Sequence, residues 1–279
     1  LFPYTTLFRS NYLRKNKKVK EGTTMKKVLA LVLCAVMAVL VTACGSSSSD
    51  YEYIKDKGEL VVGITDYAPM NYKDDKGNWT GFDTEFAQAV GKKMGVKVKF
   101  IEIDWDNKFM ELNTKSIDCA WNGMTITNEV KKNTSVTDAY AKNEQVVVMK
   151  KDELSKYKDV KSLSKLKFAV ESGSAGEAAA KDNNLEYTPV SAQSDTLLEV
   201  KSGSVDACII DSTMADAMTG KGTSYETLGH NLSLTKEEYG VGFRKKSDMT
   251  EKFNQYIKDL TKDGTLEKLS KKYNVALCK

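Results

Sequence analysis

A β-α-β-α-β alternation in the first part of the chain limits the possible folds more than any other feature. Strand candidates at residues 59–64, 96–103 and 118–127 alternate with helix candidates at residues 81–95 and 106–115. This order is typical of an α/β fold in which a mostly parallel sheet is flanked by helices. The first helix candidate repeats apolar residues at helical spacing (Phe82, Phe86, Ala89, Val90 and Met94), and Asp83 can cap its start.

The second half of the chain repeats the alternation. Residues 151–167 are polar and helical in pattern, and residues 239–243 form a late strand. The segments 112–118 and 200–206 resemble each other, since each follows a helix and opens a strand. The sequence therefore predicts two similar lobes that face each other across a cleft. Further strands are expected at 168–170, 187–190 and 205–210, and helices at 177–181, 194–201, 249–262 and 265–272.

The stretch 118–127 changes from apolar residues to small and hydroxyl residues. In an α/β sheet, groups that bind a ligand lie just beyond the carboxyl ends of the strands. Asn122, Gly123 and Thr125 occupy such positions. The alternative interpretation is an ordinary strand that runs into a polar loop.

A small-residue turn follows the strand candidate at 168–170. Ser174 and Ala175 lie where the next helix begins, and the free N–H groups and dipole of a helix N-terminus suit a carboxylate. The turn lacks the lysine of a phosphate-binding loop and the glycine of a nucleophile elbow. An ordinary strand–helix turn remains the alternative.

Three further side chains stand at strand ends. Tyr67 and Trp105 each follow a strand, and spacing alone favours an ordinary core or surface position for both over a role in binding. Asp211 ends an apolar strand, where an unpaired carboxylate is costly to bury. A ligand ammonium would pair with Asp211, and capping of the next helix is the competing explanation.

The first 50 residues carry processing signals rather than a domain. Residues 1–24 are typical of a non-native leader derived from adaptor and untranslated sequence, although a basic arm is an alternative. Residues 25–43 have the positive and apolar regions of a signal peptide, and the apolar run is shorter than the roughly 20 residues of a membrane span. Residues 44–50 are then a lipidated cysteine, Cys44, with a flexible serine-rich tether.

The basic character of the chain comes from this discarded part. Residues 1–44 contain eight Lys and Arg residues and one acidic residue, a net charge of +7. Because the whole chain carries +4, removing +7 leaves −3 for the mature protein. The charge therefore gives no support to a nucleic-acid partner.

The remaining cysteines and the single histidine indicate no metal or catalytic site. Cys119, Cys208 and Cys278 remain after residue 44, without metal-ligand spacing, and their odd number argues against a disulfide framework. We expect Cys119 and Cys208 to be buried thiols. His230 has no second histidine with which to share catalytic roles. We therefore expect no cofactor, no metal and no enzymatic activity.

Several of these segments, taken in order, resemble the family 3 solute-binding proteins of bacterial ABC importers, which have the type II periplasmic-binding fold. The resemblance covers residues 51–279, and Val41-Thr42-Ala43-Cys44 resembles a lipoprotein box with valine in place of the usual leucine. The matching motifs are GFDTEFA at 81–87, GMTITNE at 123–129, ESGS at 171–174, residues 205–211, and DGTLEK at 263–268.

The resemblance implies a two-lobe protein with its ligand cleft between the lobes. Lobe 1 would comprise residues 51–141 and 237–279, and lobe 2 residues 142–236. The hinges are expected near 139–144 and 235–239, and closure would trap the ligand. The chain would be a lipoprotein anchored to the outer face of the membrane by a lipid (palmitate) anchor alone. Its partners would be an ABC permease and its ATPase, and we expect a monomer.

The resemblance also implies roles for individual residues. Tyr67 and Trp105 would hold the side chain of a polar amino acid between them. Gly123 and Thr125, with Asn122 at the same edge, would meet its polar backbone end. From lobe 2, Ser174 and Ala175 would supply N–H groups, and Asp211 would take the ammonium.

One departure from the family concerns the ligand carboxylate. The family usually places an arginine at the position of Val130, where it grips the α-carboxylate with two hydrogen bonds. Arg244 is the one arginine after residue 44, and we expect it to face solvent. The carboxylate would then rest on backbone N–H groups, on Thr125 or Ser174, or on a lysine such as Lys131.

Two other functions remain open at this point. The same fold is used by a dehydratase of prephenate-like compounds, whose anionic substrates would require cations in the cleft. A ligand-sensing module of a receptor is the third candidate. The binding protein agrees best with the shortage of arginine and with the lipoprotein signal.

Overall fold

The computed structural model describes residues 49–278. The expected leader, signal peptide and lipidated Cys44 lie outside the described residues. The expected tether ends in a helix cap, because Ser49 Oγ accepts a hydrogen bond at 3.0 Å from the backbone N–H of Glu52. The tether's last residue, Asp50, is therefore the first residue of a helix.

The elements of the described chain follow the predicted alternation. The α-helices are α1 Asp50–Lys57, α2 Phe82–Met94, α3 Lys108–Asn113, α4 Asn128–Asn133, α5 Ala175–Asp182, α6 Gln193–Ser202, α7 Ser212–Met218, α8 Met249–Lys262 and α9 Thr265–Tyr273. The strands are β1 Glu59–Ile64, β2 Tyr72–Lys73, β3 Trp79–Thr80, β4 Lys97–Glu102, β5 Cys119–Ala120, β6 Ser135–Val136, β7 Ala141–Asn143, β8 Gln145–Lys150, β9 Lys167–Glu171, β10 Glu186–Val190, β11 Ala207–Asp211, β12 Leu228–Ser233, β13 Glu237–Tyr239 and β14 Gly242–Phe243.

Two five-stranded sheets organise the molecule. The first has the strand order β4-β1-β5-β14-β6, and the second has the order β10-β9-β11-β8-β12. In each sheet three neighbouring strands are parallel and the remaining pairings are antiparallel. The parallel strands β1, β9 and β11 are buried along most of their length, as strands covered on both faces are. Both sheets are therefore mixed. The parallel strands of each sheet end next to predicted ligand-binding residues.

A third, two-stranded pairing links the segments between the sheets. β7 and β13 run antiparallel, with Asn143 opposite Glu237 and Ala141 opposite Tyr239. Both strands lie within the segments predicted as hinges, 139–144 and 235–239. The chain passes from one sheet to the other through these two strands.

The core of the first sheet is aromatic. Trp121, directly after β5, packs edge-on against Phe86 of α2 and Phe253 of α8, with ring centroids 4.8 Å and 4.9 Å apart. Phe82, Phe86, Val90 and Met94 are buried as predicted for the inner face of α2. Cys119 and Cys208 are buried free thiols, which confirms that prediction. Among the described residues, no helix combines the length and apolar composition needed to cross a membrane.

Two local predictions were wrong. Residues 151–167 do not form a helix but contain two short 3₁₀ turns, Leu154–Lys156 and Val160–Leu163. The apolar residues of this segment, including Leu163 and Leu166, are buried from these short turns rather than along one helix face. Asp83 does not cap α2, because it lies inside the first turn and its buried carboxylate accepts hydrogen bonds from Gly123 N and Tyr140 Oη.

Arg244 was expected to face solvent, and this was also wrong. It is only 8% exposed, because it directly follows β14, whose partner β5 begins next to the buried Asp118. The guanidinium pairs with Asp50 of α1 at 3.0 Å and lies 3.6 Å from Asp118. It also donates to the carbonyl oxygen of Ile117 at 2.9 Å. Arg244 therefore holds α1 on the first sheet, and its role is structural.

Replacing Arg244 with methionine should lower the free energy of unfolding by about 3 kcal/mol, because a buried carboxylate loses its partner. Asp118 would keep Lys57, whose Nζ lies 2.6 Å away, so the loss should stay near the lower end of the range for broken buried pairs. Urea unfolding measures the effect, with exposed Lys245→Met as the control. Equal stability of the two variants would contradict the docking role of Arg244.

Candidate functional site

A cavity of about 190 Å³ lies where strand ends from the two sheets meet. Trp105, Thr125, Ser174 and Ala175 line it, so the structure brings together four of the eight predicted ligand-binding residues. Trp105 and Thr125 follow β4 and β5 of the first sheet, whereas Ser174 and Ala175 follow β9 of the second. This cavity is therefore the candidate ligand site.

The second sheet contributes a capped helix start to the cavity. Ser174 Oγ accepts a hydrogen bond at 3.1 Å from Glu177 N, and the Glu177 carboxylate accepts one at 2.9 Å from Gly173 N. This pair resembles a capping box, except that the carboxylate bonds to the residue before the N-cap, and it fixes the first turn of α5. At Gly173, a Cβ atom would lie 2.6 Å from Asp106 Cα, so glycine permits the close approach of the two lobes.

Asp211 is the end of a hydrogen-bonded chain that crosses between the lobes. Tyr67 Oη lies 2.6 Å from Tyr239 Oη, and Tyr239 Oη donates to Asp211 Oδ1 at 2.6 Å. Tyr67 and Asp211 do not line the 190 Å³ cavity, but this chain of hydroxyls joins them. Helix α7 begins at the next residue, and the carboxylate makes no capping hydrogen bond to it. The structure thus excludes the capping explanation for Asp211.

Side-chain amides complete the surroundings of Asp211. Its carboxylate also accepts hydrogen bonds from Asn143, Gln145 and Gln193. Asp211 is 3% exposed, and no cation of the described chain lies within salt-bridge distance of it. Burial, with the nearby Glu237 carboxylate, raises the pKa of Asp211 well above its ordinary value. A ligand ammonium at this position would supply the missing positive charge.

Glu237 connects Asp211 to the cavity. Glu237 Oε1 accepts hydrogen bonds from Thr125 Oγ1 at 2.9 Å, from Asn143 Nδ2 at 2.6 Å and from Gln145 Nε2 at 2.7 Å. Asn143 and Gln145 therefore donate to both acids. Sequence reasoning assigned Asn143 and Glu237 to the hinges and Gln145 to the strand that follows. Only the pairing of β7 with β13 brings these residues together.

Asn122 and Gly123 do not line the cavity but make hydrogen bonds within the first half of the molecule. The Asn122 side chain bonds to Thr65 N, Oγ1 and O at 3.1, 2.8 and 3.0 Å, and to Asn71 Oδ1 at 2.8 Å. Gly123 N donates to Asp83 Oδ2 at 2.6 Å. In this structure the two residues hold the loop that carries Tyr67. Their contact with a ligand remains a prediction.

Two charged residues at the site were missed by the sequence reasoning. Lys108 lines the cavity three residues after Trp105, a spacing that places both on one helical face. Glu171 ends β9, and burial raises its pKa to about 7. Glu171 Oε1 has no hydrogen-bond partner among the described residues. The lysine spacing from Trp105 was the signal that could have identified Lys108.

A larger, open groove of about 750 Å³ runs along the hinge strands. It contains Lys131, the lysine expected as a possible carboxylate partner, together with Lys142, Lys236 and Glu238. The groove does not include the small-residue turn at Ser174 or the aromatic Trp105. The groove also contains Asn143, Glu237 and Ser212, so it adjoins the surroundings of Asp211. We place the site in the smaller cavity, because four of the eight predicted ligand-binding residues line it and none of them lines the groove. No group of acidic, cysteine and histidine residues that could hold a metal ion occurs among residues 49–278.

Comparison with known proteins agrees with this geometry. Residues 60–276 match the family of bacterial extracellular solute-binding proteins, family 3. The chain belongs to this family. It is 35% identical over 257 residues to the arginine-binding extracellular protein ArtP of Bacillus subtilis (strain 168), covering 89% of this chain and 98% of ArtP. The predicted family is therefore confirmed.

Two solved structures of the family illustrate its range. A substrate-binding protein of a Streptococcus pneumoniae ABC uptake transporter, with bound histidine, is 28% identical with a TM-score of 0.76, covering 82% of this chain and 97% of that one. The ancestral amino acid-binding protein AncCDT-1, a precursor of cyclohexadienyl dehydratase, is 34% identical with a TM-score of 0.75, covering 81% and 99%. The family 3 proteins, like this chain, have the two-lobe α/β architecture, which confirms the predicted fold class.

Proposed function

We propose that this protein binds a polar amino acid between its two lobes and delivers it to an ABC importer. One observation carries the proposal: the buried Asp211 carboxylate has only hydroxyl and amide partners in the described chain, and hydrogen bonds through Gln145 and Glu237 connect it to Thr125. Thr125 lines the cavity, which also includes a helix N-terminus. An α-amino acid carries an ammonium and a carboxylate that complement these two features. The relatives whose names state a ligand bind amino acids, which supports the same class.

The proposed binding mode assigns the ammonium to Asp211. Thr125 and the N–H groups at Ser174 and Ala175 receive the polar end of the ligand, while Tyr67 and Trp105 contact its side chain. Asn122 and Gly123 form the edge of lobe 1 beneath the ligand. An arriving ammonium would displace part of the amide network around Asp211.

The proposed lobes are residues 51–141 with 237–279, and residues 142–236. The antiparallel pairing of β7 with β13 supports hinges near 139–144 and 235–239. Lobe rotation about these two strands would open the cavity to admit the ligand and then close it. Direct contacts between the lobes, such as Gly173 against Asp106, would form only on closure.

A binding role agrees with the site better than dehydratase chemistry. ArtP is a binding protein, and AncCDT-1 is described as an amino acid-binding precursor of a dehydratase. A prephenate-like substrate is anionic and would require cations, whereas the acidic side chains Asp211, Glu237 and Glu171 lie near one another here. We therefore propose no catalytic residue.

The proposed location is the outer face of the cell membrane, with Cys44 carrying the lipid after removal of residues 25–43. The family is extracellular, which supports export. The permease and ATPase of an importer would be the partners of the anchored, monomeric protein. The membrane contact would be through the lipid alone.

Lipidation predicts that Cys44→Ser releases the protein into the medium, because the new side chain cannot carry the thioether-linked lipid. Cell fractionation and immunoblotting measure the distribution. Cys278→Ser is the matched control, since Cys278 is a free, partly exposed thiol far from the signal, and this variant should stay on membranes. Membrane retention of Cys44→Ser would argue against the anchor.

A thermal-shift screen tests the proposed function. The purified protein is heated with each of the twenty common amino acids, with cystine, and with prephenate and small dicarboxylates. We expect saturable stabilisation by one or a few polar amino acids, and recovery of each compound unchanged. Stabilisation by prephenate with conversion of that compound would instead support the dehydratase.

A further inference from the structure

Lys108 is a buried cation at the candidate site. It is 5% exposed, and its ammonium donates to the carbonyl oxygens of Trp105 at 3.2 Å and Gly173 at 2.9 Å. No carboxylate of the described residues lies within salt-bridge distance of it. A buried charge without a counter-charge is costly, so a protein that retains one usually has a use for it.

The ammonium of Lys108 has bonding capacity that the described chain does not use. An ammonium has three N–H donors, and two of them have carbonyl acceptors here. The rings of Phe109 and Trp105, with centroids 4.7 Å and 5.3 Å from Nζ, stabilise the positive charge. Burial lowers the pKa of Lys108, whereas nearby acids, Glu129 first among them, raise it. Lys108 can therefore offer a charged donor to a ligand.

The surroundings of Lys108 in the cavity suit an anion. Thr125 and the N-terminus of the eight-residue helix α5, at Ser174 and Ala175, line the same space. The free N–H groups at a helix N-terminus are donors to carboxylates. The Thr125 hydroxyl already donates to Glu237, so it would have to turn from Glu237 to bond a ligand carboxylate. The acidic Glu129 also lines the cavity, but it is an exposed residue.

Val130 lines this same cavity. The family resemblance places a carboxylate-binding arginine at that position, and here the side chain is apolar and 3% exposed. Lys108 therefore brings a positive charge into the space that an arginine at position 130 would have served.

We propose that Lys108 binds the α-carboxylate of the ligand, and that the positive charge of this subsite has moved from position 130 to position 108. This assignment rests on the proposed function, amino-acid binding between the lobes. The ligand carboxylate lies between Lys108, Thr125 and the start of α5, and the ammonium lies toward Asp211. The Thr125–Glu237 hydrogen bond joins these two ends of the site.

A purely structural role for Lys108 makes a different prediction. Its hydrogen bonds join Trp105 of lobe 1 to Gly173 of lobe 2, so it could serve only to hold the closed form. In that case its loss would weaken every ligand equally. A carboxylate partner, by contrast, matters only for ligands that have a carboxylate.

The test measures the affinity of Lys108→Met for amino acids and for their decarboxylated amines, such as L-arginine with agmatine and L-histidine with histamine. Calorimetric titration should show that the variant loses about 10- to 100-fold in affinity for the amino acid, the range for a hydrogen bond to a charged group. Affinity for the amine should change little. Lys258→Met, at an exposed lysine of α8, should behave as the unchanged protein does.

The most decisive variant moves the positive charge from position 108 back to position 130. Lys108→Met combined with Val130→Arg should recover most of the lost amino-acid affinity, and Lys108→Arg should retain the preference for the carboxylate. If Lys108→Met does not fold, Lys108→Gln takes its place in the same titrations, with the same expected losses of affinity. Equal losses for acid and amine, or no loss at all, would overturn the role of Lys108. If the unchanged protein binds no amino acid, the proposed function fails, and this assignment fails with it.

Discussion

Asp211→Asn should abolish the stabilisation of the protein by its amino-acid ligand. The substitution removes the negative charge that pairs with the ligand ammonium but keeps the shape of the side chain. Loss of one partner from a buried charge pair costs about 2 to 5 kcal/mol of binding free energy. Calorimetric titration and thermal shift measure the loss. Asp216→Asn, an exposed residue of α7 that pairs with His230, is the control and should bind normally.

The same substitution should flatten the pH dependence of stability. Burial raises the pKa of Asp211 in the folded protein, so the folded state binds this proton more tightly than the unfolded chain does. The free energy of unfolding of the ligand-free protein therefore falls as pH rises from the ordinary carboxyl pKa toward the raised one. Asp211→Asn lacks this titration. An unchanged pH profile and an unchanged ligand affinity would remove Asp211 from the site.

Gly123→Ala should lower the free energy of unfolding substantially. Gly123 has a φ of +55°, and a Cβ atom there would lie 2.5 Å from Cε1 of Tyr67, whose ring is fully buried. The left-handed backbone and the forced displacement of a packed ring together cost about 2 to 4 kcal/mol. Since Tyr67 bonds to Tyr239, ligand affinity should fall as well. Urea unfolding and titration measure the two effects.

Gly77→Ala separates the backbone cost from the steric cost. Gly77 has a φ of +79°, but a Cβ atom there would meet no atom within 4 Å. Its loss of stability should be about 1 kcal/mol, the cost of a left-handed conformation alone. If Gly123→Ala is no more destabilising than Gly77→Ala, the contact with Tyr67 does not constrain position 123.

Local sequence patterns were sufficient to predict the alternation of strands and helices. The apolar spacing of α2 and the buried run of β1 depend on neighbours along the chain, and both were predicted. The same holds for the strand ends at Trp105, Thr125 and Ser174. Because parallel strands place their carboxyl ends at one edge, the sequence could also predict that Trp105 and Thr125 converge. Ser174 follows a strand of the second sheet, and its approach to them was implied only by the family resemblance.

The missed features depend on contacts between distant parts of the chain. Arg244 is buried because β14 pairs with β5, and nothing near position 244 indicates Asp50 as a partner. Glu237 joins the site because β13 pairs with β7. Asp83 has the spacing of a helix cap, but the chain reversal after β5 brings Gly123 N to its carboxylate instead. Sequence patterns contain local periodicity, whereas these contacts are set by the tertiary fold.

The charges of the site define what a ligand must supply. Asp211 and Glu237 share amide donors, and both would gain from a cation, whereas Lys108 on the other side of Thr125 would gain from an anion. A zwitterion satisfies both ends at once. This separation of charge explains how the site can serve an amino acid without an arginine at position 130.

Calorimetric titration of the purified protein with the amino acid that stabilises it most tests this account directly. The account predicts one saturable site per chain, tighter for the amino acid than for its decarboxylated amine, and recovery of the ligand chemically unchanged. Absence of binding by every amino acid, or conversion of the bound compound, would contradict it.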